Sequence, residues 1–122
     1  MNQLLAELVA LLEDSGFCDH IQILETSFFS FAQFALKVRC TIFSKYTLQI
    51  RFYFNRGHFD YSYQIFAQAP ICRWDNKEHF PSLNTFPHHF HTIENEVIES
   101  PLQGNPIEDL KRVLVELKKL FG

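Results

Sequence analysis

Three segments between Phe34 and Ile65 place apolar side chains at every second position, a period that fits a β-sheet with one buried face. In Phe34-Ala35-Leu36-Lys37-Val38-Arg39-Cys40-Thr41-Ile42 the even positions are apolar and the odd ones small or polar. Leu48-Gln49-Ile50-Arg51-Phe52-Tyr53-Phe54 and Phe59-Asp60-Tyr61-Ser62-Tyr63-Gln64-Ile65 repeat the pattern. The connections are short: Ser44-Lys45 can turn the chain once, and Asn55-Arg56-Gly57 suits a tight hairpin in which Gly57 supplies a positive φ. Strands joined this closely must run antiparallel, as a meander. Ile21-Gln22-Ile23-Leu24-Glu25-Thr26 alternates as a further short strand. Between Phe28 and Phe34 the phase slips, because Phe29 and Phe31 are out of step with Phe34, which predicts a bulge or a bend.

Helical patterns flank the sheet. Leu4, Leu5, Leu8, Leu11 and Leu12 recur at helical spacing and predict a helix over 2–14, stopped near Gly16. At the other end Asn105 can cap a helix, Pro106 fits its first position, and Glu108 completes a variant of the capping box. Ile107, Leu110, Leu114, Leu117 and Phe121 form its apolar stripe, and Lys118 and Lys119 complement its C-terminal dipole. The expected fold is α+β: an antiparallel meander of about four to five strands, with an N-terminal and a C-terminal helix packed on one face. At 122 residues, this is a single domain spanning 1–122.

Composition narrows the function classes. Hydrophobic residues at 47% and charged residues at 20% exclude a disordered chain. Fourteen phenylalanines imply an aromatic core with apolar surface left for a partner, and are compatible with a homodimer. A net charge of −3 provides no global field for nucleic acid, so any RNA contact depends on a local patch. Cys18, Cys40 and Cys72 are odd in number and widely spaced, which points to reduced thiols. The N-terminal leucines follow no basic region and are accompanied by Glu7, Glu13 and Asp14, unlike a signal peptide or a membrane span. A cytoplasmic location without membrane contact is expected.

Four of the six histidines fall between His79 and His91, and chemistry is expected there. Arg73-Trp74-Asp75-Asn76 should end an extended segment and enter a loop, since Asp-Asn pairs bond nearby backbone amides. On an extended segment Arg73 and Asp75 project to the same side. Arg73 could then meet a phosphate or carboxylate while Asp75 orients a neighbouring histidine, or the two could simply pair. In Pro87-His88-His89-Phe90-His91, His89 and His91 point to one side and His88 to the other. Three readings follow: a metal held by His89, His91 and either His79 or a carboxylate; an imidazole acting as general acid or base; or surface histidines beside Phe86 and Phe90. Without flanking cysteines the string is a weak zinc signature, and no metal or cofactor is assigned.

Other polar residues are read as structure. His20 and His58 receive no role, Glu94, Glu96 and Glu99 form a solvated edge, and Lys37, Arg39 and Arg51 make at most a modest basic strip. No phosphate-binding loop, dinucleotide fingerprint, nucleophile elbow or His-Glu-x-x-His helix occurs.

The run from Arg73-Trp74-Asp75-Asn76 through His79 to Phe86-Pro87-His88-His89-Phe90-His91 resembles the signature of the TumE family, small prokaryotic toxins of type II toxin–antitoxin pairs. The resemblance covers half to two-thirds of the chain and is specific across residues 73–91. It implicates Arg73, Asp75, Asn76, His88, His89 and His91, with looser support for His79, and it implies a cognate antitoxin and an RNA target. Two function classes follow. In the first, a metal-independent endoribonuclease, Arg73 holds the scissile phosphate, and two of His88, His89 and His91 act as base and acid. Asp75 fixes a tautomer, and Asn76 and His79 contact the ligand. In the second, the cluster is a non-enzymatic surface for a protein or a structural metal.

Overall fold

In the computed structural model, which describes residues 2–122, the period of two becomes one antiparallel sheet of seven strands in chain order. Helix α1 (Asn2–Asp14) is followed by β1 (Cys18–Ser30), β2 (Gln33–Ile42), β3 (Tyr46–Asn55), β4 (His58–Phe66) and β5 (Pro70–Asp75). After a long loop come β6 (His89–His91), β7 (Val97–Glu99) and helix α2 (Pro106–Phe121). The sheet exceeds the four to five strands expected from alternation. The additional strands, β6 and β7, span three residues each, too few to show a period.

The first strand also departs from expectation. Alternation predicts a strand over 21–26, whereas β1 runs through thirteen residues. Its register on β2 shifts between Asp19 and Gln22, between Ile23 and Glu25, and between Phe28 and Ser30. Each shift changes which face the next residue meets, so the period is scrambled in the sequence. The last shift is the predicted irregularity, and beyond it Phe31, 98% exposed, stands at the tip of the β1–β2 hairpin. The β3–β4 hairpin closes as predicted: Asn55 pairs with His58 across Arg56 and Gly57, whose φ values of 50° and 86° are both left-handed.

One face of the sheet carries the core. Leu36, Val38, Cys40 and Ile42 of β2, Leu48, Ile50 and Phe52 of β3, and Tyr61, Tyr63 and Ile65 of β4 are buried in one cluster. The same cluster contains Leu8 and Leu12 of α1 and Leu110, Val113 and Leu117 of α2, so both helices cover this face. Asn105 caps α2 as expected, its Oδ1 accepting from the Ile107 and Glu108 amides at 3.1 Å each. Glu108 does not close a capping box; it bonds Lys111 at 3.3 Å. The carboxylate that turns back is that of Asp109, buried and accepting from the Gln103 and Gly104 amides at 3.0 and 2.7 Å.

Among the described residues, no helix covers the opposite face. It presents the odd residues of β2 and β3 and the even residues of β4, including Lys37, Arg39, Arg51, Ser62 and Gln64. The basic strip is thereby assembled, although Arg39 is engaged by Gln49 and lies over the Phe66 ring. Among the described residues, no helix is long and apolar enough to cross a membrane.

Leu110, fully buried in α2, should lose about 2–5 kcal/mol of stability on change to alanine, while Leu120, 42% exposed in the same helix, should lose under about 0.5 kcal/mol. Urea denaturation followed through Trp74 fluorescence measures both.

Candidate functional site

Pairing of β5 with β6 sets Arg73 opposite His91, Trp74 opposite Phe90, and Asp75 opposite His89. Alternation then sorts these residues onto two faces. Trp74 and Phe90 stack towards the helices, with ring centroids 4.3 Å apart. Arg73, Asp75, His89 and His91 meet on the helix-free face.

Asp75 is the centre of the group and is 2% exposed. Its Oδ2 accepts from Arg73 Nε at 2.7 Å, and its Oδ1 from the Lys77 amide at 3.0 Å. His89 Nε2 lies 2.9 Å from Oδ1, and His91 Nε2 lies 3.5 Å from Oδ2. A buried carboxylate is tolerated only with such a set of donors around it.

The imidazoles are ordered by their other contacts. His89 is 1% exposed, and its Nδ1 lies 3.1 Å from the Pro87 carbonyl oxygen, which can only accept. His91 Nε2 lies 3.2 Å from Arg73 Nη2, which can only donate. The two Nε2 atoms face each other at 3.1 Å, a spacing that requires a shared hydrogen or a cation beside them. Burial, then the Arg73 charge, lowers the pKa of His91 below its usual value and favours the neutral ring. Phe80 covers the pair, its ring 4.7 Å from His89 and 5.9 Å from His91.

Arg73 and Asp75 also line a cleft of about 580 Å³ on the helix-free face. Arg51, Tyr53, Ser62, Gln64 and Lys77 contribute to its walls, with Glu25 and Asp60 as opposing charges. His91 is not part of the cleft wall; it meets Arg73 and keeps about a quarter of its side chain exposed.

Three residues singled out from sequence lie apart from this group. His88 projects to the helix side, as the alternation of 88, 89 and 91 predicts. There its Nδ1 meets the Tyr61 hydroxyl at 2.8 Å. Burial raises the Tyr61 pKa and lowers that of His88, which favours a neutral hydroxyl and a neutral ring sharing one hydrogen. Asn76 is used by the fold: its Oδ1 accepts from the Tyr61 amide at 3.0 Å and its Nδ2 donates to the Phe59 carbonyl at 2.7 Å. It thereby continues the β4–β5 ladder beyond Asp75. His79 is exposed in the loop, and its ring faces Phe80.

Sequence reasoning passed over Phe80, Lys77 and Tyr61. Lys77 and Phe80 lie inside the signature segment and were legible as neighbours of the site. Tyr61 had no such signal, because it reaches His88 only through the fold.

The four clustered residues combine an anion-binding guanidinium, a neutral imidazole with an accepting Nε2, and a carboxylate that orients both. That set suits proton transfer beside a bound anion. A family model described as Toxin TumE matches residues 8–121. No curated protein and no solved structure matches the chain.

Asp75→Ala should destabilise the fold by about 3–5 kcal/mol, because it leaves buried His89 and the Lys77 amide without their acceptor. Arg73→Ala should lose less, about 1–3 kcal/mol, since it removes one donor from buried Asp75 but leaves His89 and the Lys77 amide in place. Denaturant titration of the two variants gives the comparison directly.

Proposed function

Because the chain belongs to the TumE toxin family, we propose that it is the toxin of a type II toxin–antitoxin pair and acts as a metal-independent endoribonuclease in the cytoplasm. The observation that carries this reading is the Asp75-braced pair in which Arg73, a wall of the cleft, bonds His91. Arg73 is partly exposed and bonds Asp75 and His91 through Nε and Nη2, so its outer edge is available to a phosphodiester. Once the guanidinium turns to the phosphate, His91 Nε2 is freed to accept the proton of the attacking 2′-hydroxyl. Arg73 then stabilises the charge that develops on the phosphoryl oxygens. Asp75 and His89 are positioning residues, for both are buried beneath the pair.

His88 has no part in this chemistry, since it bonds Tyr61 on the other side of the sheet. The leaving oxygen takes its proton from solvent at the open cleft.

The cleft favours a single strand. Tyr53 offers an exposed ring on which a base can stack, and Arg51 and Lys77 can meet flanking phosphates. Glu25 and Asp60 temper the local charge, so binding should be salt-sensitive and modest. An antitoxin partner has apolar surface to meet: Ile23, Phe28, Phe29 and Phe31 are exposed on and beside β1, an edge strand of the sheet.

Expression of the wild-type chain should arrest growth, and co-expression of the adjacent antitoxin gene should restore it. Arg73→Ala and His91→Ala should each lower RNA cleavage by about 100-fold or more and relieve the arrest, while His58→Ala stays toxic. Full toxicity in both site variants, with circular dichroism reporting folded protein, would contradict the reading.

A further inference from the structure

Asp75, His89 and His91 converge through one ligand atom each, and these atoms lie within 4.8 Å of one another. His89 Nε2 lies 2.9 Å from Asp75 Oδ1 and 3.1 Å from His91 Nε2, and His91 Nε2 lies 3.5 Å from the other carboxylate oxygen, Oδ2. Donors bound tetrahedrally at about 2.0–2.1 Å from a zinc ion stand roughly 3.3 Å apart, a spacing close to each of these three contacts, so the carboxylate and the two imidazoles are gathered at the scale of such a site. Two imidazole nitrogens and one carboxylate oxygen are a donor set that suits zinc and its neighbours in the first transition row.

A second observation concerns the ring behind the donor. His89 Nδ1 is bonded to the Pro87 carbonyl, the contact by which metal-binding histidines are commonly held in orientation, and it leaves Nε2 directed at the centre. Phe80 roofs both rings and Asp75 is buried, so the donors are sheltered from bulk water.

Arg73 already holds two of these donors. Its Nη2 is 3.2 Å from His91 Nε2, and its Nε is 2.7 Å from Asp75 Oδ2. The guanidinium uses the same lone pairs that a metal ion would use. Two cations cannot share one carboxylate at this range without strong repulsion. A metal ion entering the site must therefore push the guanidinium out, and Arg73, 42% exposed on the cleft, has room to leave.

We propose that Asp75, His89 and His91 form a binding site for one zinc-type divalent ion, and that this ion competes with the Arg73 guanidinium for the same carboxylate and imidazole. The consequence for activity rests on the ribonuclease reading: with the His91 lone pair committed to the metal, the site no longer takes a proton, and the ion is an inhibitor.

Zinc ion alone is titrated into the purified chain by calorimetry and by competition with a chromophoric chelator. Wild type is expected to saturate at one ion per chain. His91→Ala, which alters a partly exposed side chain, should bind at least about tenfold more weakly, and His58→Ala should bind as wild type does. Arg73→Ala should bind about tenfold more tightly, because the competing cation is gone. A merely histidine-rich surface would not produce that last result. Absent or non-saturating binding, binding unaffected by His91→Ala, or binding no tighter in Arg73→Ala would each overturn the proposal. Ordered binding in a chain that cuts no RNA would uphold the metal site and refute the ribonuclease. RNA cleavage without saturable zinc binding would do the reverse.

Discussion

The buried carboxylate of Asp75 is the constraint on which the rest of the site depends. A charge removed from water is stable only when donors replace its hydration, and here Arg73, His89 and the Lys77 amide do so from three directions. Satisfying Asp75 therefore fixes the guanidinium, orients the imidazoles and ties down the start of the loop after β5. The candidate site and the local fold share one electrostatic centre. That coupling explains why a cluster of polar residues can lie within a few residues of Trp74 and Phe90, which belong to the apolar side.

The sheet supplies sidedness. Its helix-covered face takes the alternate apolar residues into one core, and its other face is left to polar side chains and a cleft. Because β5 and β6 pair residue by residue, four polar groups are delivered to the open side and two aromatic rings to the closed one. His88, displaced by one residue from His89, falls on the closed side and bonds Tyr61. A one-residue difference in position thus separates a site imidazole from a structural one.

Much of this was legible in the chain, and for identifiable reasons. Alternation from Phe34 to Ile65 has a single period and short turns, so the central strands follow from it directly. The same period places Arg73 with Asp75 and sets His88 apart from His89 and His91. Bulges hid the length of β1, and three-residue strands carry no period of their own. Asn76 was implicated as a ligand residue by the family resemblance, whereas its local pattern pointed only to a turn. Its use as a substitute backbone partner for β4 depends on a pairing that no local pattern records. The burial of Asp75 was equally hidden, since it depends on pairing with β6 across the long loop and on Phe80 folding back over the histidines.

On the ribonuclease reading, Asp75 joins Arg73 and His91 into one working unit. The most direct test of that coupling is a double-mutant cycle on single-turnover cleavage of a single-stranded RNA by purified protein. If the two residues act as a unit, the Arg73→Ala, His91→Ala double variant should be about as slow as the slower single variant. Losses that multiply, or a wild-type chain that leaves the RNA intact, would contradict the account.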